Sequence, residues 1–233
     1  MTNLSQQLSE TSTRRSKRWG ILLAGGDGTH LRMLTRLICG DDRPKQFCPL
    51  FGRETLLGTA RRRAERSISP EQILVPLTRS HQAFYLQEPG IRASQRIVQP
   101  ANKGTAPPIA YGLLSIERND EDAIVAILPC DHYYAHELAF TAALDSAFDL
   151  AAQHPASIVL LGASPQSLDV EYGWIELGPS VNGAGDIRFT VRAFREKPSF
   201  SVARELLRRG SLWNTFVMVG HVRAFLEMVY VAL

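Results

Sequence analysis

Ile21-Leu22-Leu23-Ala24-Gly25-Gly26-Asp27-Gly28-Thr29-His30-Leu31 is the stretch on which the fold turns. Its first half is an unbroken apolar run of strand length, the pattern of a strand buried on both faces in a parallel sheet. The run stops at Gly25, Gly26 and Gly28. Glycine permits positive φ and leaves backbone N–H groups uncovered, so such a strand exit can form a nest for an anion, with phosphate the natural ligand. A plain tight turn is the other reading of the same residues. A Walker A loop requires Gly-Lys followed by Ser or Thr, which is absent, and a dinucleotide fingerprint requires a glycine where Leu31 stands.

Outward from this segment, apolar runs of strand length alternate with stretches of helical period. Strands are expected at Gly20 to Ala24, Ile73 to Thr78, Arg96 to Gln99, Ile124 to Leu128 and Ser157 to Gly162. Helices are expected at Glu54 to Ser67 and Glu137 to Gln153. This alternation implies crossover units, a mostly parallel sheet and an α/β fold. After residue 170 the rhythm changes. Tyr172 to Leu177 and Ile187 to Arg195 read as antiparallel strands separated by Gly183 and Gly185, followed by a helix from Ser201 to Arg209, a strand from Leu212 to Val219 and a last helix from Val222. No repeat or linker divides the chain, so residues 18–233 read as one domain behind a flexible tail at 1–17.

Composition agrees with that class. The 233 residues are 45% hydrophobic and 21% charged with a formal charge of +3, ample for a core and too evenly balanced for a nucleic-acid stripe or a polybasic membrane patch. The run from Trp19 to Ala24 is too short for a signal-peptide core or a membrane span. Cys39, Cys48 and Cys130 lack Cys-x-x-Cys spacing and read as reduced thiols of a cytoplasmic protein. Arg61, Arg62, Arg63 and Arg66 lie opposite the apolar face of their helix and read as a solvated face. Only four lysines occur, at 17, 45, 103 and 197.

Six further segments follow the glycine loop in order: Arg43-Pro44-Lys45-Gln46-Phe47, Gln99-Pro100-Ala101-Asn102-Lys103-Gly104-Thr105-Ala106-Pro107, Leu128-Pro129-Cys130-Asp131-His132, Glu171-Tyr172-Gly173-Trp174-Ile175-Glu176, Arg195-Glu196-Lys197-Pro198 and Leu212-Trp213-Asn214-Thr215-Phe216. Three of the four lysines fall within them. On residues alone Asp131 is either a helix cap or a cation ligand. His132 and His136, without a further ligand at suitable spacing, read as structural.

Over roughly residues 19 to 220 these motifs resemble the sugar-1-phosphate nucleotidyltransferases, and the Pro-Lys-Gln-Phe and Leu-Trp-Asn pieces look most like the mannose-1-phosphate guanylyltransferases. The resemblance implies a Rossmann-like nucleotide-diphospho-sugar transferase fold with a small antiparallel sugar-side subregion. It implies the formation of GDP-mannose and pyrophosphate from GTP and mannose 1-phosphate with Mg²⁺. Another nucleoside triphosphate and hexose 1-phosphate pair, or a weakened nucleotide-sugar-binding protein, are the alternatives. By the same resemblance Gly25, Gly26 and Gly28 wrap the triphosphate, Gln99 and Gly104 read the edge of the base, and Ala24, Thr29 and Thr105 contact the nucleotide. Lys45 meets phosphate oxygens and Asp131 holds the metal. Gly173, Glu176, Glu196, Lys197 and Asn214 frame the sugar phosphate. Neither nucleic acid nor membrane is an expected partner, and a homo-oligomer is left open.

The chemistry explains why no nucleophile-and-base constellation is needed. A phosphate monoester has a second pKa of about 6, so the attacking oxygen is already largely unprotonated at neutral pH. What remains is charge neutralisation and alignment. Two departures from the family pattern bear on activity. His30 stands where the family carries arginine, and the chain ends soon after the Leu-Trp-Asn strand, before the later aspartate that completes the family's metal site. Thr215-Phe216 also replaces the usual Ser-Gly.

Overall fold

The computed structural model describes residues 16–181 and 187–232. Most of the expected N-terminal tail, and the Gly183 and Gly185 turn, lie outside the described residues. In chain order the elements are β1 (Arg18–Leu23), α1 (Arg32–Cys39), α2 (Leu56–Ala64), β2 (Ile73–Thr78), α3 (Gln82–Tyr85), β3 (Arg96–Gln99), α4 (Ala106–Asn119), β4 (Ile124–Pro129), α5 (Glu137–Gln153), β5 (Ile158–Ala163), β6 (Trp174–Ser180), β7 (Phe189–Arg195), α6 (Phe200–Arg208), β8 (Leu212–His221) and α7 (Val222–Ala232). The described residues form two compact units, 16–159 with 218–232, and 160–181 with 187–217.

In the first unit β3, β2, β1 and β4 lie side by side and all pair in parallel. The last residues of β8 close this sheet antiparallel to β4, with Ile127 opposite Met218 and Ile124 opposite His221. β2 is buried along its whole length, and Ile21, Leu22, Val125, Ala126 and Ile127 are all fully buried. That is why these strands read as continuous apolar runs rather than as alternating ones. Helix α4 can lie close on the sheet because residue 112 is glycine: a Cβ there would come within 2.9 Å of Ile21 Cδ1. Helix α2 is capped by the Thr55 side chain, which accepts from the Gly58 N–H at 2.9 Å.

In the second unit β6 pairs antiparallel with β7 and with the first residues of β8, with Trp174 opposite both Arg195 and Trp213. Its core is Trp174, Ala203 and Leu206, with Leu168, Val170 and Trp213 packed against them. The Trp174 indole N–H donates to the Asp169 carbonyl at 2.9 Å, so this fully buried ring leaves no polar atom unpaired.

Candidate active site

The glycine loop leaves β1 at Leu23 with its carbonyls held from behind. The Gln46 side-chain amide donates to the Ala24 carbonyl at 2.8 Å and to the Gly26 carbonyl at 2.7 Å, and the Thr78 hydroxyl donates to the Gly25 carbonyl at 2.7 Å. A trans peptide points its N–H opposite to its carbonyl. The N–H groups of Gly25, Gly26 and Asp27 therefore face away from those partners, as a phosphate nest needs. A Cβ at Gly25 would stand 2.6 Å from Gln99 Nε2, so a larger residue there would displace the Gln99 side chain. Gly28 has φ +61 and lies against the Lys45 backbone, so it is needed both for its conformation and for its contact.

The segment from Lys45 to Phe47 is a single turn of 3-10 helix after Pro44, anchored by the buried Gln46 and Phe47. This turn presents Lys45, whose Nζ lies 2.5 Å from Asp131 Oδ2. Asp131 follows β4, whose buried run fixes its place. Burial raises its carboxyl, but the hydrogen bond and charge of Lys45, with His132 nearby, outweigh that and hold it below the usual carboxylate range. Asp131 is therefore ionised at neutral pH. Burial lowers the neighbouring His132, so its imidazole is held neutral despite the adjacent carboxylate.

Among the described residues no cluster of three or more His, Cys, Asp or Glu side chains could hold a metal. One carboxylate is nevertheless enough for the way Mg²⁺ usually binds, through one or two carboxylates plus the phosphates of a substrate. The donor set at Asp131 fits that mode and does not fit a transition-metal site.

The other residues expected to meet the nucleotide differ in how they are engaged. Gln99 Nε2 donates to the Thr78 hydroxyl at 3.3 Å, and the Gly104 N–H donates to the Asn102 side-chain oxygen at 3.0 Å. Thr105 stands at the N-terminal boundary of α4 without capping it. Thr29 and His30 are exposed on a short 3-10 turn.

In the second unit the residues expected to frame a sugar phosphate lie around the β6–β7 pair. Glu176 and Glu196 line an open cavity of about 760 Å³ together with Phe194, Ser201, Leu206 and Arg209. A Cβ at Gly173 would stand 2.7 Å from the Phe194 ring and 2.8 Å from Glu196 Oε2, so a larger residue there would push both side chains aside. The Asn214 N–H donates to the Gly173 carbonyl at 2.8 Å. Glu176 is paired with Arg195 at 2.9 Å and Lys197 with Glu171 at 3.3 Å. Lys197 and Phe216 adopt the left-handed region, with φ 42 and 58. Non-glycine residues held there store strain, which clusters at functional positions.

One expectation is overturned. The arginines of α2 are not a uniformly solvated face: Arg63 is only 4% exposed. Its guanidinium lies 4.7 Å from the centre of the Tyr134 ring, donates to the His132 carbonyl at 3.3 Å and pairs with Glu137 at 3.4 Å. The helical period does turn this residue from the sheet, but toward the segment after Asp131 rather than toward water. Gln46, Thr78 and Arg63 thus support the site without having been singled out by sequence. Gln46 lay inside a motif already in view, whereas Thr78 and Arg63 carry no local signal.

The family model described as Nucleotidyl transferase matches residues 19–228. Xanthan biosynthesis protein XanB of Xanthomonas campestris pv. campestris is 32% identical over 211 residues, covering 89% of this chain and 43% of that protein. Mannose-1-phosphate guanylyltransferase ManC of Salmonella typhimurium is 32% identical over 221 residues, 92% of this chain and 45% of its own length. The chain thus spans less than half the length of these curated relatives. Among solved structures, a Thermus thermophilus protein described as mannose-1-phosphate geranyltransferase superposes with a TM-score of 0.80 at 30% identity, covering 92% of this chain and 60% of that one.

Proposed function

We propose, from the premise that this chain belongs to the nucleotidyl transferase family, that it joins a nucleoside monophosphate to a hexose 1-phosphate, with GTP and mannose 1-phosphate as the preferred pair. A phosphate oxygen of the sugar attacks the α-phosphorus in line. The bond from that phosphorus to the β-phosphate's bridging oxygen breaks, and pyrophosphate leaves with the electron pair. The observation that carries this reading is the loop whose three successive carbonyls are held by Gln46 and Thr78, beside the Lys45–Asp131 pair.

The chain's own residues account for most of what the transfer needs. The outward N–H groups of the loop take phosphate oxygens, and Lys45 neutralises charge on them. Without substrate each member of the Lys45–Asp131 pair occupies the other: the ammonium takes the place of a cation for Asp131, and the carboxylate that of a phosphate for Lys45. Substrate binding exchanges both partners. Mg²⁺ bound at Asp131 would supply charge neutralisation between phosphates. Glu176, Glu196 and Asn214 are assigned to sugar hydroxyls and Lys197 to the sugar phosphate, a reading supported by the strained backbone at Lys197. We place the reaction in the cytoplasm, in keeping with three free thiols.

The test is a pyrophosphate-release assay over a panel of nucleoside triphosphates and hexose 1-phosphates. The expected result is highest kcat/KM for GTP with mannose 1-phosphate; no release from any pair would refute nucleotidyl transfer, and a different best pair would correct the substrates. A second reading, a nucleotide-sugar binder with little turnover, is favoured by His30, since an imidazole lacks the planar fork of donors with which a guanidinium grips phosphate bidentately. Under the enzyme reading His30→Arg raises kcat; an unchanged rate beside tight GDP-mannose binding would favour the binder.

A further inference from the structure

Asp27 stands between Gly26 and Gly28, in the loop assigned to a triphosphate, where a carboxylate facing the ligand would repel it. The structure turns it elsewhere. Asp27 Oδ1 lies 3.1 Å from His81 Nε2, and Oδ2 accepts a hydrogen bond from the Asn102 amide at 2.9 Å. His81 is buried and packs edge-on against Phe47, so the core fixes its position. Its Nδ1 is buried without a partner among the described residues, which leaves Nε2 as the nitrogen that carries the hydrogen toward Asp27.

Asn102 extends the chain of contacts. Its side-chain oxygen accepts the Gly104 N–H at 3.0 Å, and Gly104 adopts φ +86, so the amide draws the backbone into a local turn. His81, Asp27, Asn102 and Gly104 therefore connect the exit of β2, the loop after β1 and the loop after β3. The first loop is the one assigned to phosphates and the last the one assigned to the base.

We propose that Asp27 and Asn102 form a latch that seats the base-side loop on the phosphate loop and so sets nucleotide selectivity. This rests on the reading of the site as a nucleoside triphosphate site. Both are positioning residues: neither touches the reacting atoms, and each acts through the loop that it holds. Asn102 is exposed, so the latch contributes little to overall folding while fixing the relative placement of two loops.

The experiment compares Asn102→Ala, Asp27→Ala and Asp27→Asn with the parent protein. Backbone ¹⁵N order parameters of the ligand-free proteins are read at residues 25–29 and 101–105. Asn102→Ala and Asp27→Ala are expected to lower them in both segments from the rigid range near 0.85 to below about 0.6. Asp27→Asn, whose side-chain oxygen can still accept from His81 or Asn102, is expected to stay closer to the parent than either alanine variant. In turnover, Asn102→Ala is expected to raise the KM for the preferred nucleotide about tenfold with kcat within about twofold, narrowing its advantage over other nucleotides. Unchanged order parameters in both alanine variants, a loss confined to one loop, or a kcat loss at constant KM would overturn the latch. A parent protein inactive on every substrate pair would instead refute the proposed function, and the order parameters would still decide the latch.

Discussion

Replacing Gln46 by Met tests whether the loop carbonyls must be held from behind. Methionine fills a similar volume but has no donor. Gln46 is 2% exposed, and its amide is donated to the Ala24 and Gly26 carbonyls at 2.8 and 2.7 Å. Ala24 is 1% exposed, so water cannot replace the lost bond there; an orphaned buried carbonyl costs about 1–3 kcal/mol. Gly26 is exposed and water can replace its partner, at a cost of about 0.5–1 kcal/mol. The expected loss is about 2–3 kcal/mol, or roughly 4–12 °C in Tm for a chain of this size. Activity should fall further than stability alone requires. Once released, the peptides at 24–25 and 26–27 can rotate and offer phosphate a carbonyl in place of an N–H. Each lost contact of about 1.5–3 kcal/mol lowers kcat/KM by roughly 10- to 100-fold. Thermal melts followed by circular dichroism, run beside pyrophosphate release, measure the two effects separately. A Gln46→Met protein that melts within about 1 °C of the parent and keeps its kcat/KM would refute the reasoning.

Three other perturbations follow from the same contacts. Arg63→Met removes a buried cation from the Tyr134 ring and the His132 carbonyl, while Glu137 keeps Arg66 at 2.9 Å. The expected cost is about 3 kcal/mol, at the low end for a broken buried pair, and an unchanged melting curve would show that the guanidinium holds nothing. Burial depresses His81 despite the Asp27 charge, so as pH falls below 6.5 the unfolded chain takes up a proton that the native one refuses. Stability should therefore drop toward acid by up to about 1.4 kcal/mol per pH unit for this group and stay flat above 6.5; urea unfolding should show His81→Gln losing that part of the slope, and an identical profile would contradict it. Burial and the neighbouring Cys39 push the Cys48 thiol up to about 12, and burial raises Cys130 as well. At pH 8 iodoacetamide should reach Cys39 first and the other two only on unfolding; early modification of Cys48 in a mass-spectrometric time course would contradict this.

The strands of the first unit were legible because β1, β2 and β4 are buried on both faces and carry unbroken apolar runs. β6 and β7 were legible because the segments flanking them change to short strands broken by glycine. Helices α1 and α4 were not singled out. α4 opens with Ala106-Pro107-Pro108, which looks like loop punctuation, yet proline is favoured in the first turn of a helix. α1 buries only Thr35 and exposes Met33 and Leu37, so its apolar residues mark no core-facing stripe. At the site, Lys45, Asp131 and Gly25 stood in recognisable motifs. What sequence could not supply was the origin of the loop's shape. Gln46 meets a loop some twenty residues earlier, Thr78 one more than fifty residues earlier, and Arg63 a turn nearly seventy residues later, and these meetings depend on strands that pair across the whole chain. The solvated reading of Arg63 failed for the same reason, because helical period says which side faces away from the sheet but not what waits there.

The most direct test of nucleotidyl transfer uses GTP labelled at its α-phosphorus, incubated with mannose 1-phosphate, Mg²⁺ and the protein. The account expects the label in a nucleotide-sugar and unlabelled pyrophosphate in equal amount, with the transfer lost in Lys45→Met and Asp131→Asn. Label that remains in GTP with every hexose 1-phosphate, or that leaves as GDP with release of inorganic phosphate, would contradict it.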